Sequence, residues 1–286
     1  LIYLHENLLF LLVVHSYQFQ MEDYEKFLHR REILRSLREA VSLGYQGFEL
    51  YFQPIVRVKD ESLYAAEALL RIHDKNGNFI SPAEAIPILE ESGLIIPVGK
   101  WIIQNAFSMC TECRKYYPEF RVSINLSYVQ ILKSPLMMEL KQIIEHSGIS
   151  CSGIIVELTE SGYLEGTPAV RSVWNDMKQL RIQIALDDFG TGYSNLMNIS
   201  NLEPDIVKLD RGFTLKALSR SYEYQLMQYV IEMVHKLNQY VCVEGVETKE
   251  DLEKIKALGP DLIQGYYYSK PCSRDEFLKK FFDYSE

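Results

Sequence analysis

Residues 185–195 read ALDDFGTGYSN. Two aspartates, Asp187 and Asp188, close an apolar run there, and glycines follow at 190 and 192. Adjacent carboxylates repel unless a cation shares their space. Six apolar runs end on groups able to bind a metal or a phosphate: Asn125, Glu157, the Asp187–Asp188 pair, Lys208, Glu244 and Gln264. Glu67, inside an earlier run, adds a seventh site. Successive spacings from Asn125 are 32, 30, 21, 36 and 20 residues, the length of one strand-plus-helix unit each. An all-oxygen set suits hard divalent ions such as Mg2+ or Mn2+ rather than thiolate-bound zinc. Two such ions about 4 Å apart serve phosphoester hydrolysis, one activating water and the other steadying the leaving oxygen. Taken singly, each residue has a plainer reading. A glutamate after a strand is commonly a loop charge, Asn125 could open a helix, and Lys208 with Asp210 could be a surface ion pair. The coincidence of seven favours the site.

The elements that must bring them together are legible as a rhythm. Short aliphatic runs over 48–56, 63–72, 121–127, 153–160, 182–189, 205–210, 240–247 and 262–269 alternate with helical patterns at 94–116, 168–180, 219–238 and 249–258. Eight strands with mostly helical connections predict an α/β fold, a (β/α)8 TIM-type barrel, whose strand ends meet at one mouth. An open doubly wound sheet competes, but no glycine-rich dinucleotide fingerprint follows the first strand. The D-F-G tripeptide at 188–190 lacks the glycine loop, strand lysine and H-R-D element of a kinase, and no G-x-S-x-G is present.

A helix is expected over 21–43, with Tyr24, Phe27, Leu28, Ile33, Leu34 and Leu37 as its apolar stripe and Gly44 as its stop. Residues 1–20 begin on Leu, not Met. Their apolar run, Leu8 to Val14, is too short to span a bilayer and lacks the marks of a signal peptide. The expectation is a lead-in or the remnant of an upstream region over 1–29, then one domain over 30–286. The 286 residues carry a net charge of −9, which argues against a nucleic-acid polymer as partner. Five cysteines without regular spacing fit a reducing cytoplasm; Cys110 and Cys113 form a lone C-x-x-C that reads as two helix cysteines.

The motifs resemble those of the EAL domain family. EALLR (67–71) carries the family's signature. YFQPIV (51–56), INLS (124–127), ELTES (157–161), ALDDFGTGYSNL (185–196), VKLDRGF (207–213), VEGVET (243–248) and IQGYYYSKP (263–271) follow in the expected order. Resemblance implies a modified (β/α)8 barrel that hydrolyses cyclic di-GMP to linear pGpG with two Mg2+ or Mn2+. It implies Glu67, Asn125, Glu157 and Asp187 as ligands of one metal. Asp187 would bridge to a second, held with Asp188 and Glu244. Glu244 is also the implied general base, and Lys208 would stand near the attacking water. Gln53, Leu70, Arg71, Gln264, Asp210 and Glu247 are the implied substrate contacts. Glu160 is the implied support of the loop over 188–196, which the family associates with metal binding and dimerisation. Implied partners are a second copy of the chain and a sensor or cyclase-type domain upstream, and the implied location is cytoplasmic, with room for a membrane tether of the parent chain upstream of residue 1. No ligand of the implied set is missing. Two alternatives remain at this level: a cyclic di-GMP receptor or scaffold that does not cleave, and a barrel that binds no nucleotide.

Overall fold

The computed structural model describes residues 2–159, 167–191, 199 and 202–282, with the backbone alone at 2–20, 22 and 159. The chain forms two compact units, one of residues 1–48 and 72–94, the other of 49–71 and 95–286.

In the first unit the expected lead-in helix runs further towards the N-terminus, as α1 (Ile2–Ser42). Its apolar stripe divides. Ile33 and Leu37 are buried, whereas Tyr24, Phe27 and Leu28 stand exposed. A second helix, α2 (Pro82–Ser92), begins with Pro at its first turn and ends on Gly93 in the left-handed region, φ 75. His29 with Glu84 and Arg30 with Glu91 link the two helices at the surface.

The second unit is built on a ring of eight strands. In spatial order they are β1 (Phe48–Arg57), β2 (Leu63–His73), β4 (Arg121–Asn125), β5 (Ile154–Thr159), β6 (Gln183–Phe189), β7 (Ile206–Leu209), β8 (Tyr240–Glu244) and β9 (Leu262–Gln264), and β9 returns to β1. Short β3 (Phe79–Ile80) and β10 (Cys272–Ser273) lie outside the ring. Pairing from β2 and β4 round to β9 is parallel, but β1 runs antiparallel to β9. The expected barrel is thus present, in modified form. Among the described residues its helices are α3 (Ile95–Cys113), α4 (Tyr128–Lys133), α5 (Leu136–Ser147), α6 (Pro168–Gln179), α7 (Arg211–Ser219), α8 (Ser221–Lys236), α9 (Lys249–Lys256) and α10 (Arg274–Phe282). Their starts follow capping chemistry. Ser127 with Gln130, and Thr248 with Asp251, form reciprocal capping boxes. Cys110 and Cys113 are both buried in α3, and burial pushes the Cys110 thiol up to about 12.

Inside the ring, Ile55, Ala65, Ile155, Ala185, Ile206, Cys242 and Leu262 belong to one buried apolar cluster. Such layers fill the interior of small parallel barrels. At the N-terminal end Tyr64 lies between the guanidinium groups of Arg57 and Arg121, 4.7 and 4.6 Å from its ring centre, and donates to Gln183 Oε1 at 3.0 Å. That end is plugged by side chains. On the outside, α10 seals one flank: Phe277 is fully buried against Phe52 and Phe120, with ring centres 6.1 and 6.2 Å away. Phe277→Ala should therefore lower the unfolding free energy by about 3–5 kcal/mol in urea titration. A loss below 1 kcal/mol would mean that the flank repacks without the ring.

Candidate active site at the barrel mouth

Side chains on a strand alternate in direction, so residues two apart share a face. Each apolar residue of the interior layer is followed, two positions on, by a polar one: Ala65 by Glu67, Ile155 by Glu157, Ala185 by Asp187, Ile206 by Lys208, Cys242 by Glu244 and Leu262 by Gln264. Ser123 and Asn125 repeat the step on β4. On antiparallel β1 the step reverses, and Ile55 is preceded by Gln53. The polar set is thus the next layer of the same barrel, at the C-terminal mouth.

Lys208 stands at its centre. It is 2% exposed, and its Nζ lies 2.6 Å from Glu157 Oε2, 2.8 Å from Glu244 Oε1, 3.1 Å from Asp187 Oδ1 and 3.4 Å from Glu67 Oε2. Amides and a hydroxyl hold the carboxylates in turn. Gln264 Nε2 donates to Glu67 Oε2 (2.6 Å) and to Gln53 Oε1 (3.1 Å). Asn125 Nδ2 donates to Glu67 Oε1 (2.7 Å), and Ser123 Oγ donates to Glu157 Oε1 (2.5 Å). Gln53 completes the chain by donating to the Ser269 carbonyl.

The adjacent aspartates are separated by a β-bulge. Leu186 pairs with Val207 and Phe189 with Leu209, so β6 carries one residue more than β7 over this stretch. Asp188 takes the left-handed conformation, φ 58, which Asp tolerates better than most side chains. The two carboxylates are therefore parted by the extra residue in β6. Asp187 stays buried and Asp188 is half-buried.

Burial and crowding set the protonation of the cluster. Burial disfavours charge on Glu67, but the Lys208 ammonium and the Gln264 and Asn125 amides outweigh it and hold the carboxyl below its usual range. Burial and the neighbouring Glu67 charge push Glu157 well up. Burial takes Glu244 up to about 8 against the pull of Lys208, helped by Asp187 and Glu67. Burial and then Asp187 take Asp188 up to about 6. For Lys208, burial alone would lower the pKa; its four carboxylates reverse that and raise it, so the ammonium stays charged.

One ammonium therefore faces a layer holding five carboxyl groups, three of which resist ionisation. Asp187 Oδ1, despite its charge contact with Lys208, and Gln264 Oε1 are buried acceptors with no hydrogen-bond donor among the described residues. These observations fit a place for divalent cations: oxygen donors only, negative charge in excess, and acceptors left over. Among the described residues no three Asp, Glu, His or Cys groups stand arranged to hold a metal ion; four of the carboxylates converge instead on the Lys208 ammonium.

Other sequence-derived residues sit around this core. Arg71 lies 5.3 Å from the Tyr51 ring centre and donates to the Leu70 carbonyl, and Leu70 itself is buried. Asp210 caps α7 by accepting from the Gly212 and Phe213 amides. Glu247 pairs with Arg211 at 2.7 Å. Glu160, and most of the loop that it was expected to support, lie outside the described residues. Sequence reasoning passed over Ser123, Arg211 and Tyr266. Ser123 was findable, since it stands two residues before Asn125; Arg211 reaches the mouth from the first turn of α7 and Tyr266 from the loop after β9, where no strand period announces them.

An eight-stranded α/β barrel, parallel except at β1, with a polar, carboxylate-rich mouth defines the general class. The family model described as "EAL domain" matches residues 34–271, and the chain belongs to that family. A curated relative, cyclic di-GMP phosphodiesterase PdeF of Escherichia coli K12, is 31% identical over 230 residues, 80% of this chain and 30% of that one. The chain spans about a third of the length of the curated relatives it matches. Among solved structures, EAL enzyme Bd1971 in its cAMP- and cyclic-di-GMP-bound form superposes with TM-score 0.84 at 29% identity, covering 90% of this chain and 70% of that one. The PaMucR phosphodiesterase complex with c-di-GMP gives 0.80 at 27% identity, covering 86% of this chain and all of the other.

The cluster's charge balance has a measurable sign. Glu244 titrates in the folded chain at about 8, above its ordinary 4.5, so between those values the folded state holds a proton that the unfolded state has lost. In chelator, stability should therefore fall as pH rises from about 5 to about 8. Glu244→Gln, which cannot ionise, should flatten that slope in urea melts. Parallel slopes for the two proteins would contradict the assignment.

Proposed function

We propose that this chain hydrolyses cyclic di-GMP to linear pGpG. The reading is carried by one observation: an unbroken polar layer with excess carboxylates at the mouth of an EAL-family barrel. Glu67, Asn125, Glu157, Asp187, Asp188 and Glu244 would hold two Mg2+ or Mn2+, which supply an acidified water and neutralise charge on the phosphodiester. Glu244, the most exposed of the four carboxylates around Lys208, with 20% of its side chain accessible, is positioned to take the water's proton. Lys208 holds its neighbours together as a fixed positive charge and stands close enough to orient the water. Gln264 and Gln53 form an amide row that fixes Glu67 and borders the substrate. Arg71 presents a planar guanidinium suited to a phosphate or a guanine edge. Asp210 and Glu247 act through the α7 start and through Arg211.

The same reading gives 30–286 as the catalytic domain and 1–29 as its lead-in, with an upstream sensor or cyclase-type domain in the parent chain. Five free cysteines fit a reducing cytoplasm. Among the described residues no helix is long and apolar enough to cross a membrane. Homodimerisation would use α8, where Tyr222, Leu226 and Tyr229 recur at helical spacing, 75, 43 and 66% exposed, opposite buried Met227, Ile231 and Val234. Tyr229→Glu should convert a dimer into a monomer in analytical ultracentrifugation; an unchanged sedimentation coefficient would remove α8 from the interface.

Purified protein with Mn2+ or Mg2+ should convert cyclic di-GMP to pGpG. Glu244→Gln should lower turnover by about 10²–10⁴, and Glu67→Ala should abolish it. Tight binding of intact cyclic di-GMP with no turnover would instead make the chain a receptor.

A further inference from the structure

A row of side-chain amides links the carboxylate layer to the C-terminal helix. Gln53 and Gln264, both buried, line a cavity of about 140 Å³ that opens at the mouth. Gln264 Nε2 donates to Glu67 Oε2 at 2.6 Å and to Gln53 Oε1 at 3.1 Å, and Gln53 Nε2 donates to the Ser269 carbonyl at 3.2 Å. Ser269 is itself buried, and beyond it stands Lys280 of α10. Lys280 Nζ donates to Ser269 Oγ at 3.0 Å and to the Tyr268 carbonyl at 3.1 Å. The segment so held joins β9 to β10, which flank β1 on either side. Burial of Phe277, one turn before Lys280, fixes α10 against the barrel.

A glutamine amide has a donor end and an acceptor end of nearly equal size, so neighbouring bonds decide which way round it sits. Here both ends of the row only accept: a backbone carbonyl at Ser269 and a carboxylate at Glu67. One sense satisfies both. Gln53 turns its Nε2 to the carbonyl, which points its Oε1 at Gln264. Gln264 then offers its Nε2, which reaches Glu67 as well and leaves Gln264 Oε1 as a buried acceptor with no donor among the described residues. Turning either amide round would set acceptor against acceptor in a buried place, where no water relieves the loss. We propose that Lys280 is a positioning residue: by pinning the turn at Ser269 it fixes the sense of both amides, and with it the donor that holds Glu67. Lys280 stands outside the carboxylate layer and acts through Ser269, Gln53 and Gln264. Its effect on turnover rests on the function proposed above.

The test compares wild type, Lys280→Met, Lys280→Arg and Lys279→Met, the last removing the neighbouring exposed charge. Exchange of the Gln53 and Gln264 side-chain amide protons with water is followed by NMR on protein freed of divalent ions. Calorimetry gives the Kd for Mn2+, and kinetics on cyclic di-GMP give kcat and KM. Lys280→Met should speed the exchange of both amides and weaken Mn2+ binding about tenfold, because Glu67 loses a fixed donor. It should lower kcat by a similar factor and leave KM and the melting temperature as in wild type. Lys280→Arg, which can donate to the same two oxygens, should restore all of these, and Lys279→Met should change none. Unchanged amide exchange in Lys280→Met, or the same losses in Lys279→Met, would overturn the positioning role and leave the activity standing. Faster exchange with Mn2+ affinity and kcat intact would cut the link to Glu67 and overturn it equally. A wild type inert towards cyclic di-GMP, with its amides still answering to Lys280, would overturn the activity alone.

Discussion

An ammonium group in the dry interior of a barrel organises this chain. Lys208 is 2% exposed and touches four carboxylates, so its charge is not solvated by water but by Glu157, Glu244, Asp187 and Glu67. Burying any one of these groups alone would be strongly unfavourable. Together they are tolerable only because amides and a hydroxyl from Gln264, Asn125 and Ser123 satisfy further lone pairs. The balance is incomplete by design of the layer: with Asp188 there are five acids to one base, and the surplus appears as raised carboxyl pKa values. A site that resists its own ionisation is one that a doubly charged cation stabilises.

That arrangement depends on the layer beneath it. The apolar cluster through Ile55, Ile155, Ala185 and Leu262 fills the barrel so that water cannot reach Lys208 from below. Tyr64, held between Arg57 and Arg121, closes the N-terminal end. The polar groups are left with one route to solvent, the C-terminal mouth. There the cavity past Gln264 and Gln53 leads to Arg211 and Tyr266. Reactivity and access are therefore set by the same stacking of side chains. The bulge at Asp188 adds the one irregularity, turning the second aspartate without breaking the pairing of β6 with β7.

Much of this was determined by sequence alone. A period of two along each strand and about thirty residues between strands fix which side chains can share a barrel layer, and local chain geometry enforces both. The eight strands and the convergence of Glu67, Asn125, Glu157, Asp187, Lys208, Glu244 and Gln264 follow from those rules, and so does the pair of helix cysteines. Family motifs sharpened the chemistry. What tertiary structure alone decided is non-local. The antiparallel course of β1 turns Gln53 towards Gln264, a contact across 211 residues of sequence. The register shift beside β7 separates Asp187 from Asp188, and nothing in two adjacent letters encodes it. Arg211 reaches the mouth from the first turn of α7, lying over the glycine at 245 and held by the carboxylate at 247. Above all, the sequence implied Lys208 beside the attacking water but not as the point on which the carboxylates converge. Only closure of the ring, which brings four strands' carboxylates within reach of one nitrogen, makes it the buried centre of the site.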